Sequence, residues 1–153
     1  MQNYLNVSII IPVYNSEKTI KNTLNKIINE ASKLISEIIV IDDNSTDDST
    51  KIIKEFGKKI KLIELKKNGG AGNARNSGAL IAKYENLCFV DSDIEITENS
   101  IVNLVNRLSL DDSTGSVSAT QNLKNLNTNS WSSDFVCLKS CYGTDKFKDE
   151  IVF

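Results

Sequence analysis

Histidine is missing altogether from this 153-residue chain. Its absence excludes Ser-His-Asp and Cys-His catalysis, HExxH zinc sites and every imidazole proton shuttle, so acid–base or metal chemistry must run on carboxylates. Carboxylate and water ligands suit hard ions, magnesium or manganese, rather than zinc. Apolar runs of about 18 residues are lacking too, which excludes a membrane-spanning helix. Met1 to Asn6 is polar and leads straight into a strand-like segment, unlike a secretory signal. A basic excess is also absent: formal net charge is -2 and the sequence pI ≈ 5.2. Both signs are interleaved along the chain, which leaves no basic face for a nucleic acid. Cysteines number 3, with Cys88 in an apolar run and Cys137 and Cys141 four apart. That is no metal or redox spacing, so free thiols in a reducing cytosol are expected. The expected location is cytoplasmic, including the inner face of a membrane held by peripheral association.

What is present has the proportions of an ordinary globular domain, 40% hydrophobic and 25% charged. Val7 to Val13 (VSIIIPV) is a short apolar run containing the only proline, Pro12, and reads as a buried strand. Glu17 to Ser32 carries Ile20, Leu24, Ile27, Ile28 and Ala31 on one helical face. Glu37 to Ile41 is a second buried strand. Ser45 with Asp48 predicts a capping-box start for a helix ending near Gly57. Ile60 to Leu65 is a third strand, followed by a glycine-rich turn and a helix from about Ala71 to Tyr84. Asn86 to Val90 is a fourth strand, Thr97 to Leu108 a helix and Ser116 to Thr120 a strand. Gln121 to Ser133 reads as a loop. Ser133 to Tyr142 is predicted helical from Phe135, Leu138 and Cys141, and Asp149 to Phe153 opens a further strand.

Alternation of strand and helix implies a mostly parallel α/β sheet with helices on both faces. Right-handed crossovers then gather the strand C-termini along one edge, where ligands bind in open sheets. Four polar clusters fall there: Pro12 to Asn15, Asp42 and Asp43, the glycine turn, and Asp91 to Asp93.

Asp91-Ser92-Asp93 is the sharpest of these. In an extended strand, residues two apart face the same way, roughly 6.5–7 Å apart. Two such carboxylates repel unless a cation lies near them, and a divalent ion with open positions for diphosphate satisfies the pair. The plainer alternative is that Asp93 caps the next turn. Asp42 and Asp43 exceed what a helix cap needs, since Asn44 or Ser45 alone would serve, and a carboxylate can accept from a nucleobase N–H or a ribose hydroxyl. Asn68 to Gly78 (NGGAGNARNSG) has glycines at 69, 70, 72 and 78, so backbone can approach a ligand. A helix N-terminus there favours an anion, and Arg75 adds a permanent cation. It is neither a dinucleotide fingerprint nor a Walker loop. Tyr14 can stack on a nucleobase or pack against the first helix. Trp131 reads as a surface anchor.

Together, VSIIIPVYNSE (Val7 to Glu17), VIDDNSTDDS (Val40 to Ser49), NGGAGNARNSG and FVDSD (Phe89 to Asp93) resemble, in order and spacing, the family 2 glycosyltransferases. The match covers about residues 7 to 120. The resemblance implies a Rossmann-like GT-A sheet and transfer of a sugar from a nucleotide-diphosphate sugar, UDP-sugar favoured, to an acceptor hydroxyl with inversion. It implies that Tyr14, Asn15 and Glu17 line a nucleoside pocket shaped by Pro12, with Asp43 holding the base and Asp42 beside it. Arg75 would lie near the base or diphosphate, and Gly70 and Ser92 would join the substrate-binding set. Asp91 would reach the ribose, and Asp91 and Asp93 would hold Mn2+ or Mg2+. The acceptor would be a glycan, lipid or protein.

The sequence departs from that family on the acceptor side. No Glu-Asp motif of the kind that supplies the base follows Asp93; Asp134, Asp145, Asp149 and Glu150 stand in no matching context. The expectation is a nucleotide-sugar-binding part over residues 1–120, and over 121–153 the start of a truncated acceptor-side region, with the base beyond Phe153. A non-catalytic nucleotide-sugar-binding module stays open. A sugar-phosphate nucleotidyltransferase would want its glycine- and arginine-rich loop after the first strand, and a signalling receiver would want a later strand-end lysine.

Overall fold

The computed structural model describes residues 6–31, 37–94, 98–110, 115–119 and 135–139. Six strands, β1 (Val7–Val13), β2 (Glu37–Asp42), β3 (Lys61–Glu64), β4 (Asn86–Val90), β5 (Ser116–Ala119) and β6 (Phe135–Lys139), form one sheet in the order β3-β2-β1-β4-β6-β5. The first four are mutually parallel. Among the described residues four helices, α1 (Ile20–Ala31), α2 (Ser49–Lys54), α3 (Gly70–Leu80) and α4 (Glu98–Ser109), cover it.

The central strands are apolar at successive positions because both of their faces are covered. Ile9, Ile11 and Val13 of β1 pack with Ile20, Leu24 and Ile27 of α1, Ile53 of α2, and Ile101 and Leu104 of α4. The alternate residue Ile10 faces the other way, joining Ile39, Ile41, Leu87 and Phe89 against Ala74 and Ala79 of α3. So α1, α2 and α4 cover one face and α3 the other, as the sequence pattern predicts. Gly78 lets α3 lie close: a Cβ there would stand 2.4 Å from Ile10 Cγ2. At the opposite edge from the site, buried Ser8 donates to Glu37 Oε2 at 2.7 Å and accepts from the Tyr84 N–H at 3.2 Å.

One predicted element is overturned. Residues 135–139, read as helix from the spacing of Phe135, Leu138 and Cys141, form β6. It runs antiparallel to β4, from Val90↔Phe135 to Asn86↔Lys139, and antiparallel to β5. A run of four apolar residues, Phe135 to Leu138, satisfies both periodicities, and the open edge of β4 decides between them. Boundaries also shift. The helix expected from Ser45 begins at Ser49, with Asp48 at its cap position making no side-chain cap bond. The first helix begins at Ile20 rather than Glu17, and α3 ends at Leu80 rather than Tyr84. The expected loop at 121–133, the strand opening at 149–153 and the acids at 134, 145, 149 and 150 lie outside the described residues.

What positions a site is the way β1 parts from β4. The β1–β4 ladder runs from Val7↔Asn86 only to Ile10↔Phe89, whereas β1–β2 pairing continues to Val13↔Asp42. Pro12 lies in the stretch where only β2 pairs, and it has no N–H with which to extend a ladder. This is where strand order reverses, the place at which open α/β sheets form a crevice. No helix among the described residues is long and apolar enough to cross a membrane.

Candidate functional site

Two loops meet at the tips of β1 and β2. The Asn15 N–H donates to Ser45 Oγ at 3.0 Å, and Asn15 Oδ1 accepts from the Thr46 N–H at 2.8 Å. The Ser16 N–H donates to Ser49 Oγ at 2.7 Å. Glu17 is tied twice: its N–H donates to Asp47 Oδ2 at 3.0 Å, and its Oε2 accepts from the Asp48 N–H at 3.1 Å. Asn15 and Asn44 hold left-handed backbone, φ 50 and φ 64, which asparagine tolerates better than most residues. The side chains of Asn15 and Glu17, expected to line a nucleoside pocket, join the loop after β1 to the loop after β2. Tyr14, 49% exposed, keeps its ring available to a ligand.

The two acids at the tip of β2 diverge. Asp42 accepts from the Ser45 hydroxyl and N–H and from Thr50 Oγ1 at 2.9 Å, which roots the β2 tip on the α2 side. Asp43 accepts from the Gly69 N–H at 2.9 Å and the Gly70 N–H at 2.7 Å, at the start of α3. Both acids are buried. Gly70 has φ 85, a conformation an L side chain would strain. Asp43 thus places a carboxylate of the chain itself at the start of α3.

At the tip of β4, Asp91 accepts from Arg75 Nη2 at 2.6 Å, with the two side chains 32% and 26% exposed. Strand geometry ends at Val90, and Ser92 and Asp93 lie in a turn. The expectation that extended backbone aligns the carboxylates of Asp91 and Asp93 is thus corrected. Ser92 faces α1: its hydroxyl lies 2.8 Å from that of Ser16, and its carbonyl accepts from Thr23 Oγ1 at 3.0 Å. Thr23, which also donates to the Ile94 carbonyl, escaped the sequence reading. Its signal is a polar residue between Ile20 and Leu24 on the apolar face of α1.

At the rim, hydrogen bonding lowers the pKa of Asp47. Partial burial of Asp47 works to raise its pKa, but hydrogen bonds from the Ser49 side chain, from the Ser49 and Glu17 N–H groups and from its own N–H prevail. The carboxyl is held below its ordinary value. Among the described residues no group of three or more His, Cys, Asp and Glu side chains forms a ready metal cage. A hard divalent ion needs only one or two carboxylates, with water and phosphate oxygens completing its shell. The tip of β4 carries two carboxylates of that kind, Asp91 and the exposed Asp93.

At the strand-order reversal, Asp43 and Asp91 are therefore drawn toward α3 from strands on either side of β1. The family model described as glycosyl transferase family 2 matches residues 8–150. The chain belongs to glycosyl transferase family 2. Among curated family relatives, a poly(ribitol-phosphate) beta-glucosyltransferase of Bacillus spizizenii is 41% identical over 107 residues, 67% of this chain and 17% of the relative. The glycosyltransferase GlyG of Streptococcus pneumoniae is 35% identical over 64% of this chain and 33% of its own length. The chain thus spans a third or less of these relatives. Among solved structures, Staphylococcus aureus TarS 1-349 in complex with UDP-GlcNAc superposes with TM-score 0.60 and 33% identity, covering 67% of this chain and 31% of that one. The Pyrobaculum calidifontis mannosyltransferase PcManGT, in complex with GDP-Man and Mn2+, gives TM-score 0.73 at 22% identity over 88% of this chain and 44% of its own, a likeness of fold.

Proposed function

We propose that the C-terminal edge of this sheet binds a nucleotide-diphosphate sugar, and that the protein transfers the sugar to an acceptor hydroxyl with inversion. The observation that carries this reading is the convergence of Asp43 and Asp91 on α3 across the parted β1–β4 crevice. Asp43, buried and already accepting two N–H bonds, retains lone pairs for a base N–H. Tyr14 stacks on that base. Asn15 and Glu17 act by holding the wall between them, and Asp42 by rooting the β2 tip.

Asp91 and Asp93 would hold a divalent Mn2+ or Mg2+. When bound, the ion would neutralise charge on the departing nucleoside diphosphate. Arg75 adds a fixed positive charge beside it. Asp42, Asp43 and Asp91 are each committed to donors, so the base that deprotonates the acceptor is a carboxylate outside this set. Residues 1–120 form the donor-binding part, and the region from 121 begins the acceptor side.

The complex of TarS with UDP-GlcNAc supports a uridine donor, and the names of the poly(ribitol-phosphate) transferases support a polymeric glycan-type acceptor over a lipid or protein. Nucleotide sugars are made in the cytoplasm, so we place the protein there, at the inner membrane face when its acceptor is membrane-bound.

The test is calorimetric titration with UDP, GDP, ADP and CDP, with and without MnCl2. One base should be preferred, its binding weakened at least tenfold by Asp43→Ala and weakened also by a chelator. Indifference to all four nucleotides would overturn the reading.

A further inference from the structure

Among the described residues, the ion pair of Arg75 and Asp91 differs from Lys21–Glu55 and Lys54–Glu64. Lys21–Glu55 and Lys54–Glu64 join side chains that are at least half exposed, where such pairs contribute little. Arg75–Asp91 is drawn in between α3 and the tip of β4, at 2.6 Å and with about a quarter to a third of each side chain exposed. The backbone under Arg75 is fixed. Asp43 holds the first N–H groups of α3, and Gly78 seats the helix on Ile10. A guanidinium does not lose its proton in a protein. Its charge can leave Asp91 only by swinging to another anion.

A cation arriving at Asp91 therefore meets a resident positive charge on one of the two carboxylate oxygens. Like charges a few ångströms apart repel strongly where water is partly excluded. A diphosphate changes that balance, because its oxygens match the fork of a guanidinium better than one carboxylate oxygen does.

We propose that Arg75 is a positioning residue that occupies Asp91 until a nucleoside diphosphate arrives, so that divalent cation and diphosphate bind in a coupled manner and the cation alone binds weakly. This deepens the donor-site reading above and rests on it. At Asp91 Oδ1 Arg75 stands in for the cation; with diphosphate bound it turns to the phosphate oxygens and releases that oxygen. By linkage, whatever factor the nucleotide adds to cation affinity, the cation adds to nucleotide affinity.

The experiment measures free Mn2+ by electron paramagnetic resonance in solutions of the whole 153-residue chain, with and without UDP and with and without GDP. The unaltered chain should bind Mn2+ weakly alone and more tightly with the preferred nucleotide. Arg75→Gln should bind Mn2+ alone about three- to tenfold more tightly, the size expected for losing a partly buried opposing charge. The factor by which nucleotide raises Mn2+ affinity should shrink accordingly. Arg75→Lys keeps the charge and should stay close to the unaltered chain for Mn2+ alone. Thermal unfolding followed by circular dichroism checks each variant, and Arg75→Met serves if Arg75→Gln does not fold. Unchanged Mn2+ affinity in a folded Arg75→Gln or Arg75→Met variant that still binds nucleotide overturns this inference alone. Failure of the unaltered chain to bind either nucleotide overturns the donor-site reading with it.

Discussion

Asp42 and Asp43 are neighbours in the chain, yet their carboxylates are held on opposite faces of the sheet. Asp42 is bound to Ser45 and Thr50 on the α2 side, and Asp43 to Gly69 and Gly70 at the start of α3. Alternation along an extended strand produces this split. The shared acidic doublet therefore contains two different residues, and substitution should separate them.

Asp42→Ala leaves the Ser45 and Thr50 hydroxyls without their buried acceptor. Charge-assisted hydrogen bonds of this kind contribute about 1.5–3 kcal/mol each before compensation by water. The expected loss of stability is about 2–4 kcal/mol, read as a lower midpoint in urea unfolding with the slope unchanged.

Asp43→Ala should act on the ligand as well as on the fold. The Gly69 and Gly70 N–H groups lose their acceptor, at a cost of about 2–3 kcal/mol, and their amides should exchange with solvent faster than in the unaltered chain. Nucleotide affinity should fall at least tenfold, on the order of 1.4 kcal/mol. Retention of full affinity would show that the carboxylate serves the loop alone.

Gly78→Ala tests the seat of α3. In an open helix this change is stabilising by up to about 1 kcal/mol. Here the new methyl would stand 2.4 Å from Ile10 Cγ2 and 3.3 Å from Ile41 Cγ1. A destabilisation of about 1–3 kcal/mol is expected instead, measured by thermal or urea unfolding. A gain in stability would mean the helix rides higher on the sheet.

Asp47 gives the rim a pH dependence of known sign. Its pKa is lowered in the folded chain, so its contribution is complete above the unfolded carboxylate value and is lost as pH falls through the folded one. Urea midpoints measured downward from about pH 5 should therefore decline less steeply in Asp47→Ala than in the unaltered chain. A chemical-shift titration of the Asp47 carboxyl locates its value directly.

The parts of the fold written in local pattern were readable. VSIIIPV, EIIVI and NLCFV specify buried strands wherever they are placed, and Ile20, Leu24 and Ile27 specify the inner face of α1. What was not readable depended on partners far along the chain. The FVCLK segment is a strand because β4 offers an edge about fifty residues earlier. Ser45 does not cap α2 because Asn15 and Asp42 engage it first. The glycine turn presents two of its N–H groups, those of Gly69 and Gly70, to Asp43, a contact that motif spacing does not encode. The Arg75–Asp91 pair joins a helix to a strand tip, a distance that motif spacing does not encode.

The insertion of β6 between β4 and β5 also bears on synthesis. While a ribosome is still making the chain, β4 can pair with β1 as soon as it emerges, but its outer edge has no neighbour until residues 135–139 follow. During that interval the nascent chain carries an open strand edge able to recruit another chain.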